Sequence, residues 1–481
     1  MSLVAHRLER LPFCGFHKKL LLMGGLGYTF DAMDSSSMAF ILPAITKAWH
    51  LSSFQTGLVA SSTYTGFFFG ALLAGICGDL FGRRFVMMTA LVIFCLASLV
   101  SSQVDHWQAF YGVRIFAGFG AGAESAIVAP FLSEFVARKY RGAFTGALAG
   151  FFAVGYVISA VLGNLIIPHV EGGWRVVVII TSLPIFILVW WRRALPESPR
   201  WLESRGRLDE AHATLDRIEA QVRREGRAFE PVAASAVTHA VQAEAGAPRR
   251  HASFLGNLTA IWSPALRRTT AMSWLMWFAI AFSYYAFFTW IPSLLVQHGM
   301  TLTKSFGFSL LMYVAQIPGY LSAAYINERF GRQATIAGYM ILGGLSAVGM
   351  ALSQATWQIA LAGICLSFFM NGTFGGIYAY TPEIFPTYLR ATGVGTSSSF
   401  GRIGAIIAPL MVGMIYPVWG FAGVFGITTC VLVLGALAVL VLGVPTRGLA
   451  LEDISVAHAG GNEAATGEAG HTPAPAQARR A

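Results

Sequence analysis

The chain has 481 residues, of which 55% are hydrophobic, 13% aromatic and only 12% charged, with a mean hydropathy of +0.61. That balance excludes a soluble domain and marks a polytopic membrane protein. The formal net charge of +10 does not point to nucleic acid, because the basic residues fall in short loops beside apolar runs, as positive-inside topology requires.

At the start of the chain Arg7, Arg10, Lys18 and Lys19 precede the first apolar run, and no small-x-small cleavage site follows a short apolar core. Leu20 onward therefore reads as an uncleaved spanning helix rather than a signal peptide. A spanning helix needs about 20 apolar residues, and twelve runs qualify. The first six are 18–46, 54–78, 84–103, 107–132, 142–168 and 174–193; the second six are 269–298, 305–328, 333–352, 356–381, 391–416 and 419–443. The fold class expected is an all-α membrane protein of two six-helix halves, 1–193 and 269–451. A charged linker with short helices (194–268) joins them, and a disordered tail rich in Ala, Gly, Pro and Thr (452–481) follows. Short loops on one side hold Arg83, Arg84, Arg138, Lys139, Arg141, Arg329, Arg332 and Arg390, against Lys47, Arg175 and Lys304 on the other. Both termini and the linker are thereby assigned to the cytoplasm. Cys14, Cys77, Cys95, Cys365 and Cys430 lack metal or redox spacing and read as packing residues.

The two sets of six are related by a repeat. Gly78-Asp79-Leu80-Phe81-Gly82-Arg83-Arg84 has a twin at Asn327-Glu328-Arg329-Phe330-Gly331-Arg332, and the shift of 249 residues that carries Asp79 to Glu328 also carries Glu134, Arg141, Phe151 and Gly155 to Glu383, Arg390, Phe400 and Gly404. Parallel repeats of about six helices are one way to build a transporter whose site lies between the halves. Gly118-x-Gly120-x-Gly122 sits inside an apolar helix with no strand before it, so it is not a dinucleotide loop. No phosphate-binding Gly-Lys-Ser/Thr loop appears either, which leaves an ion gradient as the natural energy source. No cofactor and no metal site is expected.

The two Gly-Asp/Glu-x-x-Gly-Arg-type turns, Arg114 with Gly118, Gly120 and Gly122, Pro196-Glu197-Ser198-Pro199-Arg200 after the sixth span, and Pro382-Glu383-x-Phe-Pro386 with Arg390 after the tenth resemble the major facilitator superfamily, in its branch of sugar porters and organic ion transporters. More finely, Phe30-Asp31-Ala32-Met33-Asp34, Phe282-Ser283-Tyr284-Tyr285 with Trp290-Ile291-Pro292-Ser293, Tyr378-Ala379-Tyr380-Thr381-Pro382-Glu383 and Ser399-Phe400-Gly401-Arg402-Ile403-Gly404 resemble bacterial niacin transporters. That resemblance implies uptake of nicotinate, or of nicotinamide, across the inner membrane.

The charged turns suggest a cytoplasmic gate. Asp79, Arg83 and Arg84 with Glu134 and Arg141, Glu197 and Arg200 after the sixth span, and Glu328, Arg332, Glu383 and Arg390 in the second half are read as latches. They close in the outward-facing state and separate in the inward-facing one; ordinary loop charges that only set topology are the alternative. Within the spans a charge is expensive and faces a partner or a water-filled cavity. Asp31 lies 13 residues beyond Lys18, roughly 20 Å along the first helix at about 1.5 Å per residue. Arg114 enters the fourth span from the opposite side to a similar depth. An Asp31–Arg114 pair with Asp34 one turn further out is expected, either exchanging a proton or serving as a permanent structural pair, with an external lip role for Asp34 as the further alternative. Glu124 is a second protonation site or a helix-packing hydrogen-bond partner.

Arg402 lies about ten residues into the eleventh span, near the midplane between Gly401 and Gly404, where a guanidinium forks onto a carboxylate. Tyr284, Tyr285, Trp290, Tyr378 and Tyr380 are candidates to sandwich an aromatic ring, and Asn371 or Gln316 to meet its nitrogen. The rival readings are a porter of another organic acid, an organic cation or a sugar, and a nutrient receptor without flux. A monomer embedded in the bilayer is the expected state, since one chain holds both halves.

Overall fold

The computed structural model describes residues 3–186, 190, 194–227, 229, 254–386 and 389–444, and all the regular structure among them is helical. The expected tail and the middle of the linker lie outside these residues. Before the sixth loop the helices are α1 (Leu3–Glu9), α2 (Gly15–Ala48), α3 (Ser53–Phe81), α4 (Arg83–Ser101), α5 (Trp107–Ser133), α6 (Arg138–Ile166) and α7 (Gly173–Ser182). Two short helices follow, α8 (Pro199–Ser204) and α9 (Leu208–Arg224). Then come α10 (Phe254–Ala260), α11 (Arg267–Gln297), α12 (Leu302–Val314), α13 (Gln316–Phe330), α14 (Arg332–Leu352), α15 (Thr356–Glu383) and α16 (Arg390–Leu442). Eight of the described helices are long and apolar enough to cross a membrane.

Three spans differ from the sequence reading: the helix of the span expected over 174–193 ends at Ser182, and two others differ for a local reason. The span expected over 305–328 is divided between α12 and α13, because Pro318 has no N–H to give the Val314 carbonyl four residues back, where α12 ends. The last two expected spans join into α16, broken only at Gly420, whose backbone (φ 62°, ψ −159°) belongs to glycine. Two short helices, α8 and α9, lie in the segment read as the linker. Ser198 caps α8 by accepting from the Trp201 N–H, with Pro199 at the first helical position. In α9, Ala211, Leu215, Ile218 and Val222 recur at helical spacing and pack into one core with Val4, Leu8 and Leu11.

Within the first half α3 and α5 run in backbone contact. A Cβ on Gly66 would stand 1.9 Å from the Ile115 carbonyl oxygen, and one on Gly118 would stand 2.0 Å from that of Thr63. Such contact is possible only between small residues. Gly118→Ala is therefore expected to cost about 1–3 kcal/mol through forced backbone separation, measured as a lower melting temperature in detergent. Gly142→Ala, whose Cβ would meet nothing within 4 Å, is the matched control.

The halves meet through α2 with α11, α6 with α12 and α3 with α16. Away from the basic loops Phe40 packs edge-on against Phe306 at 5.2 Å, and Gly57 and Ser53 lie against Pro409 and Gly413. Towards the basic loops, α16 turns to its own half: Ser397 bonds Ser273, and Phe400 stacks on Trp274 at 4.7 Å. Among the described residues the contacts named above that join the halves thus lie towards the end opposite the basic loops, while those of α16 towards the basic end stay within its own half.

Candidate substrate site

Arg402 stands where the halves begin to part. Gly401 and Gly404 let α16 press on α11, since their Cβ positions fall 3.1 Å from the Trp277 carbonyl oxygen and 2.8 Å from that of Phe278. The guanidinium reaches across to the other half and lies 4.3 Å from the centre of the Phe67 ring. Tyr28, Tyr285 and Tyr378 are near enough to feel its charge. No carboxylate pairs with it among the described residues, although a charge at this depth ordinarily demands a partner.

Aromatic side chains wall this cation. Tyr378 packs edge-on against Trp277 at 5.2 Å yet is 56% exposed, so it faces the space between the halves. Tyr285 lies 4.5 Å from Tyr64, ring centre to ring centre, and the Tyr64 hydroxyl bonds that of Thr289 at 3.2 Å. Together with Tyr156, Tyr284, Phe288 and Tyr313 they enclose a narrow pocket that seals the site from the closed end. The Tyr284 hydroxyl donates to Gln316 Oε1 at 3.3 Å, while Gln316 Nε2 is buried without a hydrogen-bond partner among the described residues. An unspent amide donor beside an aromatic pocket is suited to a ring acceptor.

Other expected ring-binders are committed to the scaffold. Trp290 is fully buried and donates its indole N–H to the Pro409 carbonyl at 3.2 Å, so it welds α11 to α16 instead of facing the site. Tyr380 is also fully buried; its hydroxyl donates to the Val444 carbonyl and accepts from the Val444 N–H, which ties the end of α16 to α15. Asn371 donates to the Ser367 carbonyl of its own helix at 3.4 Å. Tyr64, Phe67, Tyr156 and Tyr313 are lining residues absent from the sequence reading. A signal for two of them was present, because the 249-residue shift carries Tyr64 onto Tyr313.

The intramembrane acids divide differently from the expectation. Arg114 forks onto Asp34, with Nη1 2.9 Å from Oδ1 and Nη2 2.6 Å from Oδ2, instead of onto Asp31. The reason lies in the neighbours: Thr63 accepts from the guanidinium, and Ser98 and Thr181 donate to Asp34 Oδ1, so a buried pair is fully hydrogen-bonded at that level. One turn away, Asp31 faces Glu124, and neither carboxyl has a hydrogen-bond partner among the described residues.

At the basic end the ion pairs found among the described residues join residues of one half or its appended helices. Arg83 pairs with Glu134 at 3.4 Å and Arg332 with Glu383 at 2.9 Å, two pairs related by the same 249-residue shift. All four residues belong to the set expected as latches. Arg141 meets Glu9 at 3.5 Å, and Arg390 donates to the Pro382 carbonyl at 2.8 Å. Glu9 at the end of α1 also takes Arg200 at 3.1 Å, a role that sequence spacing did not reveal. Ser198 donates to Glu134, and Glu197 accepts from the N–H groups of Arg84 and Ser198. Burial lifts Glu197 above the usual glutamate range against those two bonds. Glu328 is exposed with no ion pair among the described residues, and the Asp79 side chain lies outside them.

The helix α1 is held to the linker by Arg7 and Arg10 on Glu219, at 2.9 and 2.6 Å. Burial would raise the Glu219 carboxyl, but those two arginines more than offset it and hold the group below its ordinary 4.5. A carboxyl lowered by folding stabilises above the ordinary value and ceases to do so as pH falls through its folded value. Acidification below about pH 4 is therefore expected to loosen α1, seen as faster amide exchange over residues 3–9. Glu219→Gln is expected to do the same at neutral pH.

The chain from residue 24 to 458 matches the family described as sugar (and other) transporter. The protein belongs to that family, within the major facilitator superfamily. Among its relatives, the niacin transporter NiaP of Acinetobacter baylyi is 37% identical over 457 residues, covering 95% of this chain and 100% of that protein. The inner membrane metabolite transport protein YdjE of Escherichia coli is 27% identical, covering 94% of this chain and 98% of its own. Among solved structures, the inward-open xylose transporter XylE of Escherichia coli superposes with a TM-score of 0.74 at 17% identity, over 92% of this chain and 99% of that one. The transporter is thus a multi-pass membrane protein of the major facilitator fold and not an enzyme, and the central cation and aromatic pocket described above lie between its two halves.

Proposed function

We propose that this transporter imports nicotinate across a bacterial inner membrane by alternating access coupled to protons, working as a monomer with both termini and the basic loops in the cytoplasm. The observation that carries the reading is the Arg402 guanidinium, deep between the halves, flanked by aromatic rings and without a carboxylate of its own among the described residues. Nicotinate supplies the missing carboxylate, one aromatic ring for the wall of tyrosines, and a ring nitrogen for the unspent Gln316 amide. Similarity to a relative named for niacin transport supports the substrate, and similarity to one named for the inner membrane supports the location. Nicotinamide offers the same ring without the charge and is the weaker ligand.

In this reading residues 1–193 and 269–451 are the two rocking bodies, joined by the 194–268 linker. The Arg83–Glu134 and Arg332–Glu383 pairs, each within one half, hold the released form of the cytoplasmic gate, and the groups around Asp79, Arg84, Glu197 and Glu328 join it when the halves close. Proton symport suits a monoanion, because one cotransported proton cancels its charge. Uptake of radiolabelled nicotinate into proteoliposomes, with and without an inward proton gradient, tests the function. Saturable accumulation that follows the gradient is expected. Simple equilibration would remove the coupling, and no uptake by intact protein would remove nicotinate in favour of another organic acid, a cation or a sugar.

A further inference from the structure

Asp31 on α2 and Glu124 on α5 are 1% and 0% exposed, and all four of their carboxyl oxygens lack hydrogen-bond partners among the described residues. Each stands within electrostatic reach of the other. Among the described residues no cation pairs with either of them, and Arg114 is spent on Asp34. The titratable groups facing the pair are Tyr28 and Asp34 on α2 and Cys95 on α4. From α6 and α11, which pack on α2, the buried titratable groups are Tyr156, Tyr284 and Tyr285. Two buried, unpaired carboxylates cannot both stay ionised, because each loses its hydration and repels its neighbour.

We propose that Asp31 and Glu124 are the proton carrier of the cycle, keeping one proton throughout and taking up a second together with the anion held on Arg402. The Asp34–Arg114 fork is then a permanent structural pair. Tyr28 links the two sites: its phenol group is within electrostatic reach of Arg402, Asp31 and Glu124, and its hydroxyl donates at 2.9 Å to the carbonyl of Ser125, the residue after Glu124. The proposal rests on the reading that Arg402 takes a carboxylate. With the site empty, the cation on Arg402 and the single negative charge of the acid pair sum to zero. With a carboxylate on Arg402 and a second proton on the pair, they again sum to zero. Anion alone or proton alone leaves a net charge buried between the halves, and the closing of the site disfavours it. On loading, a proton from water forms an O–H bond on the ionised carboxyl. On release that bond breaks, the proton returns to water and the electron pair stays on the oxygen. Proton and anion therefore favour one another's binding by the same factor.

Infrared titration of the full chain in lipid tests the carrier without any substrate. A protonated-carboxyl band at neutral pH is expected in the native protein and expected to vanish in the double variant D31N/E124Q; a band that survives the double change overturns the proposal. Isothermal titration in buffers of different ionisation enthalpy then reads the coupling. Nicotinate binding is expected to take up one proton and, above the exchange point, to weaken about tenfold per pH unit, whereas the double variant binds with no proton uptake and no pH slope. D31N and E124Q singly each keep one exchanging carboxyl and shift the pH of uptake, which covers the case of a double variant that does not fold. Native protein that binds nicotinate without proton uptake overturns the carrier while sparing the substrate. A band lost in the double variant from a protein that does not bind nicotinate upholds the buried proton and overturns the substrate.

Discussion

Arg402→Lys is expected to weaken nicotinate binding by about 10- to 100-fold while changing nicotinamide binding by less than about threefold. Lysine keeps the charge but loses the planar fork, so the two parallel bonds to a carboxylate become one. It also loses the contact with the Phe67 ring, whose centre lies 4.3 Å from the guanidinium. Nicotinamide has no carboxylate for the fork and leans on the ring wall and Gln316, which the substitution leaves in place. Equilibrium binding of both ligands to the purified protein is the measurement. Equal losses for the acid and the amide would remove the carboxylate fork from the proposed site.

Arg114→Met is expected to destabilise the protein by about 3–5 kcal/mol, because it strands Asp34 in the interior with no cation. The hydroxyls of Ser98 and Thr181 donate to that carboxylate but carry no charge to compensate it. Adding Asp34→Asn to the same chain removes the stranded charge and is expected to recover most of the loss. Thermal melting of the native protein and both variants in one detergent separates the cases. If Arg114→Met melts with the native protein, the fork is not a permanent structural pair, and the division of labour between Asp34 and Asp31 falls with it.

The helices were legible because an apolar run long enough to cross a bilayer has few other fates, and most expected spans lie within a few residues of those found. Misread boundaries occurred where one residue overrides the run, as Pro318 does between α12 and α13 and Gly420 does within α16. The 249-residue shift was also legible, and it persists as matched contacts: Arg83–Glu134 against Arg332–Glu383, and Tyr64 and Tyr313 on one pocket. The charges that give the site its character break the repeat. The same shift carries Asp31 onto Ile280, Arg114 onto Gly363 and Glu124 onto Thr373, so the duplication supplies the frame and single positions supply the chemistry.

Partnerships were not legible. Asp31 and Asp34 lie three residues apart on one helical face and are alike as sequence; Thr63, Ser98 and Thr181, brought from three other helices, select Asp34 for Arg114. Trp290 and Tyr380 share the composition of the aromatics of the candidate site, yet carbonyls distant in sequence engage them as struts. Composition, span length and the repeat, all set along the chain by bilayer thickness and the cost of bare backbone in lipid, determined the fold class and the depth of each charge. Which buried charge finds a partner and which is left without one among the described residues was decided only in the tertiary structure, because hydrogen-bonding groups from separate helices meet there and their pairing depends on distances that no spacing along the chain encodes.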